Sequence, residues 1–171
     1  MLSFISNNGV YPMKTKILGC GNILASDEGV GIHAVRKMNR YRFPGEIKMI
    51  EIGRPGTSLL DIIMEADLVF IIDAVAGGEK PGTIFRFNSD DYSPMELFNL
   101  SIHGFNLAEA YELGMKQFPD KMPKKLILQG IEIKERAKFK TELSAPVKRA
   151  VNKLVRELKK ELLSLYQVED I

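Results

Sequence analysis

The sequence predicts an α/β fold, a three-layer αβα sandwich in which a mostly parallel, twisted sheet of about five strands lies between helices. Two observations indicate this class. Short apolar runs alternate along the chain with segments whose apolar residues recur at helical spacing, which is typical of βαβ units. The run from Leu68 to Ile72 is entirely apolar and mostly β-branched or aromatic, as expected for a strand covered on both faces.

Each element follows from its local pattern. Apolar runs between turn signals predict five strands, at residues 14–19, 47–52, 68–72, 83–87 and 125–130. Helical spacing predicts helices at 29–40 and 106–118, a shorter helix that begins near Thr57, and a long C-terminal helix. Ser144 is a suitable N-cap for this last helix, because Pro146 follows just inside its first turn.

The composition fits one globular domain. The chain has 171 residues, of which 45% are apolar and 27% charged. We assign residues 13–171 to a single domain and residues 1–12 to a loose N-terminal extension, because Met13 opens the first strand pattern. The 24 basic residues nearly balance the 22 acidic ones, so the charge predicts neither nucleic acid nor membrane as a partner.

The cysteine count, the apolar runs and the N-terminal stretch together predict a cytoplasmic location. A single cysteine, Cys20, excludes an intramolecular disulfide. No apolar run reaches the roughly 20 residues that span a bilayer, and the N-terminal stretch does not have the pattern of a signal peptide. The sequence does not determine the oligomeric state, and a monomer is the simplest expectation.

Carboxylates follow two of the predicted strands. The loop after the first strand carries Asn22, Asp27 and Glu28, and the third strand ends directly at Asp73. Ligands of open α/β sheets bind outside the carboxyl ends of the strands. If these two strands are neighbours, Glu28 and Asp73 face one crevice.

Each of these carboxylates also has a structural interpretation. Asp73 could cap the next turn, and Glu28 could complement a helix dipole from the first turn. Asp27 fits a structural interpretation better than Glu28 does, as a helix N-cap. Cys20, between two glycines, is expected to be a small buried thiol and not a nucleophile.

The chain has two histidines in different settings. His33 lies in a helical run and is expected to be structural, whereas His103 lies in a short loop, where functional residues are commonly displayed. Glu28, Asp73 and His103 would form a mixed oxygen and nitrogen ligand set that suits Ni²⁺ or Zn²⁺ with open positions.

Several common motifs are absent. The Gly19-Cys20-Gly21 pattern lacks the third glycine of a dinucleotide site, since Leu24 occupies that position, and the carboxylates that follow would repel a pyrophosphate. No H-E-x-x-H zinc motif and no G-x-S-x-G elbow is present.

Four segments in order resemble the hydrogenase maturation endopeptidases. They are GCGNILASDEGVG, IIDA with a Gly-rich loop and PGTI, the histidine segment SIHGFNL, and LILQGIEI. The match runs in order from about Met13 to the final helix, which is nearly the whole chain. The resemblance implies an aspartic-type endopeptidase that removes the C-terminal extension of a [NiFe]-hydrogenase large-subunit precursor after nickel insertion.

The resemblance also implies roles for individual residues. Glu28, Asp73 and His103 match the family's metal-contacting positions, and the metal is nickel carried by the substrate, with no permanently bound cofactor expected. Asp73 and Glu28 are the expected catalytic carboxylates, Asp73 being favoured to activate water. The expected substrate-binding residues are Asn22, Gly53, Gly56 and Thr57. Arg54-Pro55 and the charged 134–140 segment depart from the family pattern.

Two other functions stay open at this point. One is a non-catalytic, nickel-sensing assembly chaperone on the same fold, which would bind a loaded precursor without shortening it. The other is a metal-dependent hydrolase of small substrates, which would hold its own metal tightly.

Overall fold

The computed structural model describes residues 13–53, 58–91, 104–134 and 136–166. The predicted N-terminal extension, residues 1–12, lies outside them. Five strands are present in this part of the chain: β1 (Lys14–Cys20), β2 (Glu46–Ile52), β3 (Leu68–Val75), β4 (Ile84–Asn88) and β5 (Lys125–Glu132). Its α-helices are α1 (Val30–Met38), α2 (Leu59–Ile63), α3 (Gly104–Gln117) and α4 (Ala145–Tyr166), with short 3₁₀ turns at Ser26–Gly29 and Pro119–Lys121.

The strands form one mostly parallel sheet in the order β2-β1-β3-β5-β4. Strand β1 pairs in parallel with β2 and β3, β3 pairs in parallel with β5, and only β4 runs antiparallel, at the edge beside β5. The predicted α/β class and the five strands are therefore confirmed. The residues of β3 are buried throughout, which explains its uninterrupted apolar sequence.

Helices cover both faces of the sheet. One face packs its apolar residues against α1 and α4, and the other packs against α2 and α3. Side chains alternate between the faces along each strand, so Phe70 and Ile72 belong to the α1/α4 core, whereas Val69 and Ile71 belong to the α2/α3 core. None of the helices in the described ranges is long and apolar enough to cross a membrane.

The strand order creates a switch point between β1 and β3. The chain leaves β1 for its neighbour β2 on one side, then returns to β3 on the other side of β1. Ligands of such sheets usually bind outside the carboxyl ends of the strands at the switch point, where the connections diverge. The fold thus makes β1 and β3 neighbours, the condition under which Glu28 and Asp73 face one crevice.

Several predicted boundaries differ from the structure by one or more residues. Strand β3 does not end at Asp73 but continues to Val75, because Asp73 pairs with Gly130 and Val75 with Glu132 of β5. The predicted start of α2 at Thr57 lies outside the described residues. Helix α1 begins at Val30, and the 3₁₀ turn ahead of it carries Asp27 and Glu28.

Candidate functional site

Glu28 lies in the 3₁₀ turn that follows β1, and this turn packs against β3. Its side chain is 15% exposed. The loop ahead of it is closed by backbone hydrogen bonds, since the Asn22 amide donates to the Glu28 carbonyl (3.1 Å) and the Glu28 amide donates to the Ala25 carbonyl (3.2 Å). These bonds fix the backbone that presents the carboxylate.

Glycines allow this loop to close. Gly21 has a φ of +138°, and a Cβ there would clash with the Glu28 carbonyl. A Cβ on Gly31 would clash with backbone atoms of Cys20 and Ile72, so this glycine lets the start of α1 lie directly on β1 and β3. The glycines therefore allow close backbone contacts around Glu28.

Asp73 is almost completely buried, with 1% of its surface exposed. Alternation along β3 places its side chain on the same face as Val69 and Ile71. Its Oδ1 atom accepts a hydrogen bond from the backbone amide of Ala74 (2.7 Å). Burying a carboxylate in a central strand costs free energy. Buried carboxylates are therefore retained mostly where they have a role, and they are common at functional sites.

Glu28 has a cationic neighbour from a distant part of the chain. The Nε atom of Arg136 lies 3.7 Å from Oε1 of Glu28, and the Arg136 side chain is 53% exposed. The segment after β5 therefore reaches back over the candidate site.

Asp27 does not cap a helix, and that prediction is wrong. The N-cap positions of the 3₁₀ turn and of α1 are Ala25 and Gly29. The buried Asp27 carboxylate instead accepts hydrogen bonds from the Ser144 amide (2.7 Å), the Ser144 hydroxyl (2.8 Å) and the Lys134 amide (3.0 Å). Asp27 thus joins the site loop to the segment ahead of α4.

The predicted substrate-binding residues are partly described. Asn22 lies in the loop after β1, and its side-chain oxygen accepts a hydrogen bond from the Leu24 amide (3.0 Å). The Gly53 carbonyl accepts a hydrogen bond from the Gly21 amide of the same loop (3.2 Å). Gly56 and Thr57 lie outside the described residues, as does the predicted metal ligand His103.

The predicted metal ligands are only partly described. Within the described residues, no three histidine, cysteine, aspartate or glutamate side chains come together closely enough to hold a metal ion. Asp73 lies in the C-terminal half of β3, and Glu28 lies in the turn that follows the neighbouring strand β1. Because the expected third ligand, His103, lies outside the described part of the chain, the set of three stays a prediction.

Cys20 and His33 were both expected to be structural residues, and their surroundings agree with this. Cys20 is buried, and burial together with the negative charge of Asp73 raises the pKa of its thiol well above the ordinary value. A thiol held in its neutral form is a poor nucleophile. His33 is half-buried on α1, and its Nε2 atom lies 2.9 Å from the Thr141 carbonyl.

Glu132 is a residue that the sequence reasoning missed. It is buried at the end of β5, and its carboxylate accepts hydrogen bonds from the amides of Gly77 (3.0 Å) and Gly78 (3.1 Å). At the far end of the same loop, the Gly82 amide donates a hydrogen bond to the Glu132 carbonyl, and the Glu132 amide donates one to the Thr83 carbonyl. Glu132 therefore anchors both ends of the loop that follows Asp73. An acidic residue within the apolar Gly-Ile-Glu-Ile run was the available signal.

Comparison with known proteins identifies the family. The family model described as hydrogenase maturation protease matches residues 32–161, which is most of the chain. The chain belongs to the hydrogenase maturation protease family. The matched range includes Asp73 and His103, and Glu28 lies just ahead of it.

Individual members of the hydrogenase maturation protease family agree with this assignment. The hydrogenase expression/formation protein HoxM of Azotobacter vinelandii is 34% identical over 135 residues, covering 77% of this chain and 64% of that protein. This chain therefore spans just under two thirds of the length of that relative.

Solved structures of hydrogenase maturation proteases share the fold. The hydrogenase maturating endopeptidase HybD from E. coli has a TM-score of 0.77 and 26% identity, covering 89% of this chain and 93% of that one. The [NiFe] hydrogenase maturation protease HybD from Thermococcus kodakarensis has a TM-score of 0.71 and 26% identity, covering 88% of this chain and 99% of that one.

Proposed function

We propose that this protein is an endopeptidase that removes the C-terminal extension from the large-subunit precursor of a [NiFe] hydrogenase after nickel insertion. The observation that supports the proposal is that Asp73 lies in the C-terminal half of β3 and Glu28 in the turn after its neighbour β1, beside the switch point of the sheet. The chain that carries them belongs to this family.

The nickel is part of the substrate. It arrives bound to the precursor and completes its coordination with Glu28, Asp73 and His103. Carboxylate oxygen and imidazole nitrogen are suitable ligands for a borderline divalent ion. Since a precursor without nickel cannot make these contacts, the site binds the loaded form selectively. The partly exposed Glu28 and the buried Asp73 give the ion one outer and one inner carboxylate.

Peptide hydrolysis requires a base beside the scissile bond. In our proposal the Asp73 carboxylate accepts a proton from a water molecule while the water oxygen forms a bond to the peptide carbonyl carbon. When the carbon–nitrogen bond breaks, that proton passes to the departing amine. Because most of its surface is buried, Asp73 is shielded from bulk water during this transfer.

Loops around the carboxylates hold the peptide. We assign this role to Asn22 and Gly53, beside the Glu28 loop, and to Gly56 and Thr57, which follow in the chain. We also propose that the protein acts in the cytoplasm as a monomer. The single buried cysteine supports this location, because the chain cannot form an internal disulfide.

Incubation with purified precursor tests the proposal. We expect the protein to shorten nickel-loaded precursor but not nickel-free precursor, as measured by intact mass spectrometry. Glu28→Gln and Asp73→Asn should each lower the rate by about 100-fold or more. Asp61→Asn, on the exposed side of α2, is the matched control and should cleave at the wild-type rate. Circular dichroism verifies that all variants are folded.

Each alternative function gives a different result. A loaded precursor that binds but keeps its full mass would contradict the protease and favour a nickel-sensing chaperone. Metal that copurifies with the protein, together with turnover of small substrates, would favour a metal-dependent hydrolase. Wild-type cleavage by Asp73→Asn or Glu28→Gln would show that the catalytic carboxylates are assigned incorrectly.

A further inference from the structure

An exposed apolar and basic surface borders the candidate site. It consists of Leu24, Arg136, Lys138 and Phe139, and we call it the rim patch. Phe139 is 89% exposed and Leu24 is 51% exposed. An aromatic side chain that is almost fully exposed is unusual, and such groups commonly mark surfaces that bind another protein.

The backbone holds this surface in place. Residues 24–26 and 140 are joined by a parallel bridge, in which the Lys140 amide donates to the Leu24 carbonyl (3.2 Å) and the Ser26 amide donates to the Lys140 carbonyl (2.7 Å). Leu24 and Phe139 directly precede the two bridged residues, Ala25 and Lys140. The Ser26 hydroxyl also donates to the Glu142 carbonyl (2.9 Å), which adds a third link.

Backbone strain accompanies the bridge. Ser26 and Phe139, on either side of it, have φ values of +52° and +60°, which residues other than glycine rarely adopt. Strained backbone of this kind is retained where the surrounding contacts enforce it, and it is common at binding sites. One of the two residues is Phe139, whose side chain is exposed to solvent.

The rim patch is continuous with the candidate site. Leu24 is in the same loop as Glu28, and Arg136 lies beside the Glu28 carboxylate. The segment from residue 134 to residue 140 contains four basic residues and one acidic residue. Whatever occupies the site next to Glu28 must therefore pass an apolar and positively charged border.

We infer that the rim patch binds the hydrogenase precursor through a peptide segment that has an apolar side chain flanked by carboxylates. This inference rests on the proposed function for the identity of the partner. A second copy of this chain is a poorer fit, since a two-fold interface would place Arg136 and Lys138 near the same residues of its partner. A peptide with acidic flanks instead pairs with these cations, and its apolar side chain covers Phe139 and Leu24.

Burial of Phe139 and Leu24 by the bound precursor should strengthen binding and should not change the rate of peptide hydrolysis. Removing one large apolar contact weakens binding by about 10- to 100-fold. We expect Phe139→Ser and Leu24→Ser each to raise the Kd and KM for nickel-loaded precursor by at least about 10-fold, with kcat within about 2-fold of wild type. Lys138→Glu should also raise the Kd, and this effect should diminish at high salt.

Phe118→Ser is the matched control. Phe118 is 44% exposed just beyond α3, so its replacement removes a similar side chain away from the rim patch. The Kd is measured by calorimetry, KM and kcat by mass spectrometry, and thermal melts verify the fold. A Kd for Phe139→Ser and Leu24→Ser equal to that of Phe118→Ser would overturn the inference.

The binding measurement separates this inference from the proposed function. If the wild type binds the precursor without shortening it, the protease assignment fails, and the Kd values alone decide the role of the rim patch. A wild type that does not bind precursor overturns the inference. A concentration-dependent dimer that Phe139→Ser dissociates, seen by analytical ultracentrifugation, would assign the rim patch to a second copy and overturn it as well.

Discussion

The carboxylate of Asp27 accepts hydrogen bonds from both the amide and the hydroxyl of Ser144, 117 residues further along the chain. A third hydrogen bond, from the Lys134 amide, completes the arrangement. Since Asp27 immediately precedes Glu28, these bonds fix the position of the candidate site relative to α4. A buried side chain thus determines where its functional neighbour lies.

Replacing Asp27 should destabilise the fold and impair the site. Asp27→Asn replaces one carboxylate oxygen by an amide group, which cannot accept the hydrogen bonds now made to that atom. We expect the free energy of unfolding to fall by about 2–4 kcal/mol, as measured by urea denaturation. The exposed Asp120→Asn is the control and should change it by less than about 0.5 kcal/mol. Equal effects of the two variants would contradict this role.

A side chain at Gly31 should separate α1 from the sheet. A Cβ at this position meets backbone atoms of Cys20 and Ile72, which cannot move without disturbing β1 and β3. Gly31→Ala should therefore lower the free energy of unfolding by about 1–3 kcal/mol or more. Gly53→Ala is a matched control for stability, because a Cβ there meets no atom within 4 Å. Thermal unfolding measures both, and a normal melting temperature for Gly31→Ala would refute the close contact.

Glu132 should act through the loop that follows Asp73. Glu132→Ala leaves the Gly77 and Gly78 amides without their acceptor, so hydrogen exchange of residues 76–82 should accelerate and kcat should fall. Glu132→Gln keeps one acceptor oxygen and should restore much of both properties. Glu79→Gln, in the same loop but exposed, is the control. Unchanged exchange in Glu132→Ala would exclude an anchoring role.

His33 should make stability depend on pH. Burial lowers the pKa of His33, and the hydrogen bond to the Thr141 carbonyl offsets this only in part. The unfolded chain therefore binds a proton more readily than the folded chain, so stability decreases as the pH falls through about 6.5 and into the range of the lowered pKa. His33→Gln should flatten the slope of unfolding free energy between pH 7 and about 5.5 while processing continues. A slope identical to that of the wild type would contradict this.

The sequence predicts the fold well because the decisive signals are local. An uninterrupted apolar run such as 68–72 must be covered on both sides, and helical spacing shows which segments cover it. The boundaries are less well determined. Asp73 lies within β3 and not at its end, because pairing with Gly130 of β5 extends the strand past the first charged residue.

The candidate site was predicted from the rule that ligands of open α/β sheets bind at the carboxyl ends of the strands, and this rule selects Glu28 and Asp73. In the structure β1 and β3 are neighbours, Asp73 lies in the C-terminal half of β3, and Glu28 lies in the turn that follows β1. The roles of Asp27 and Glu132 were missed. Both depend on backbone amides more than 50 residues away, and local sequence contains no information about such partners.

The sequence by itself determined the fold class and the family resemblance, and it predicted the two site carboxylates, since periodicity, strand ends and ordered motifs can be read from neighbouring residues. The tertiary structure decided that the Asp27 carboxylate is structural, because it accepts hydrogen bonds from Ser144 and Lys134. It also placed the 134–140 segment against the Glu28 loop. Only the folded chain brings such distant segments within hydrogen-bond distance, because sheet order and register arise from packing of the whole domain.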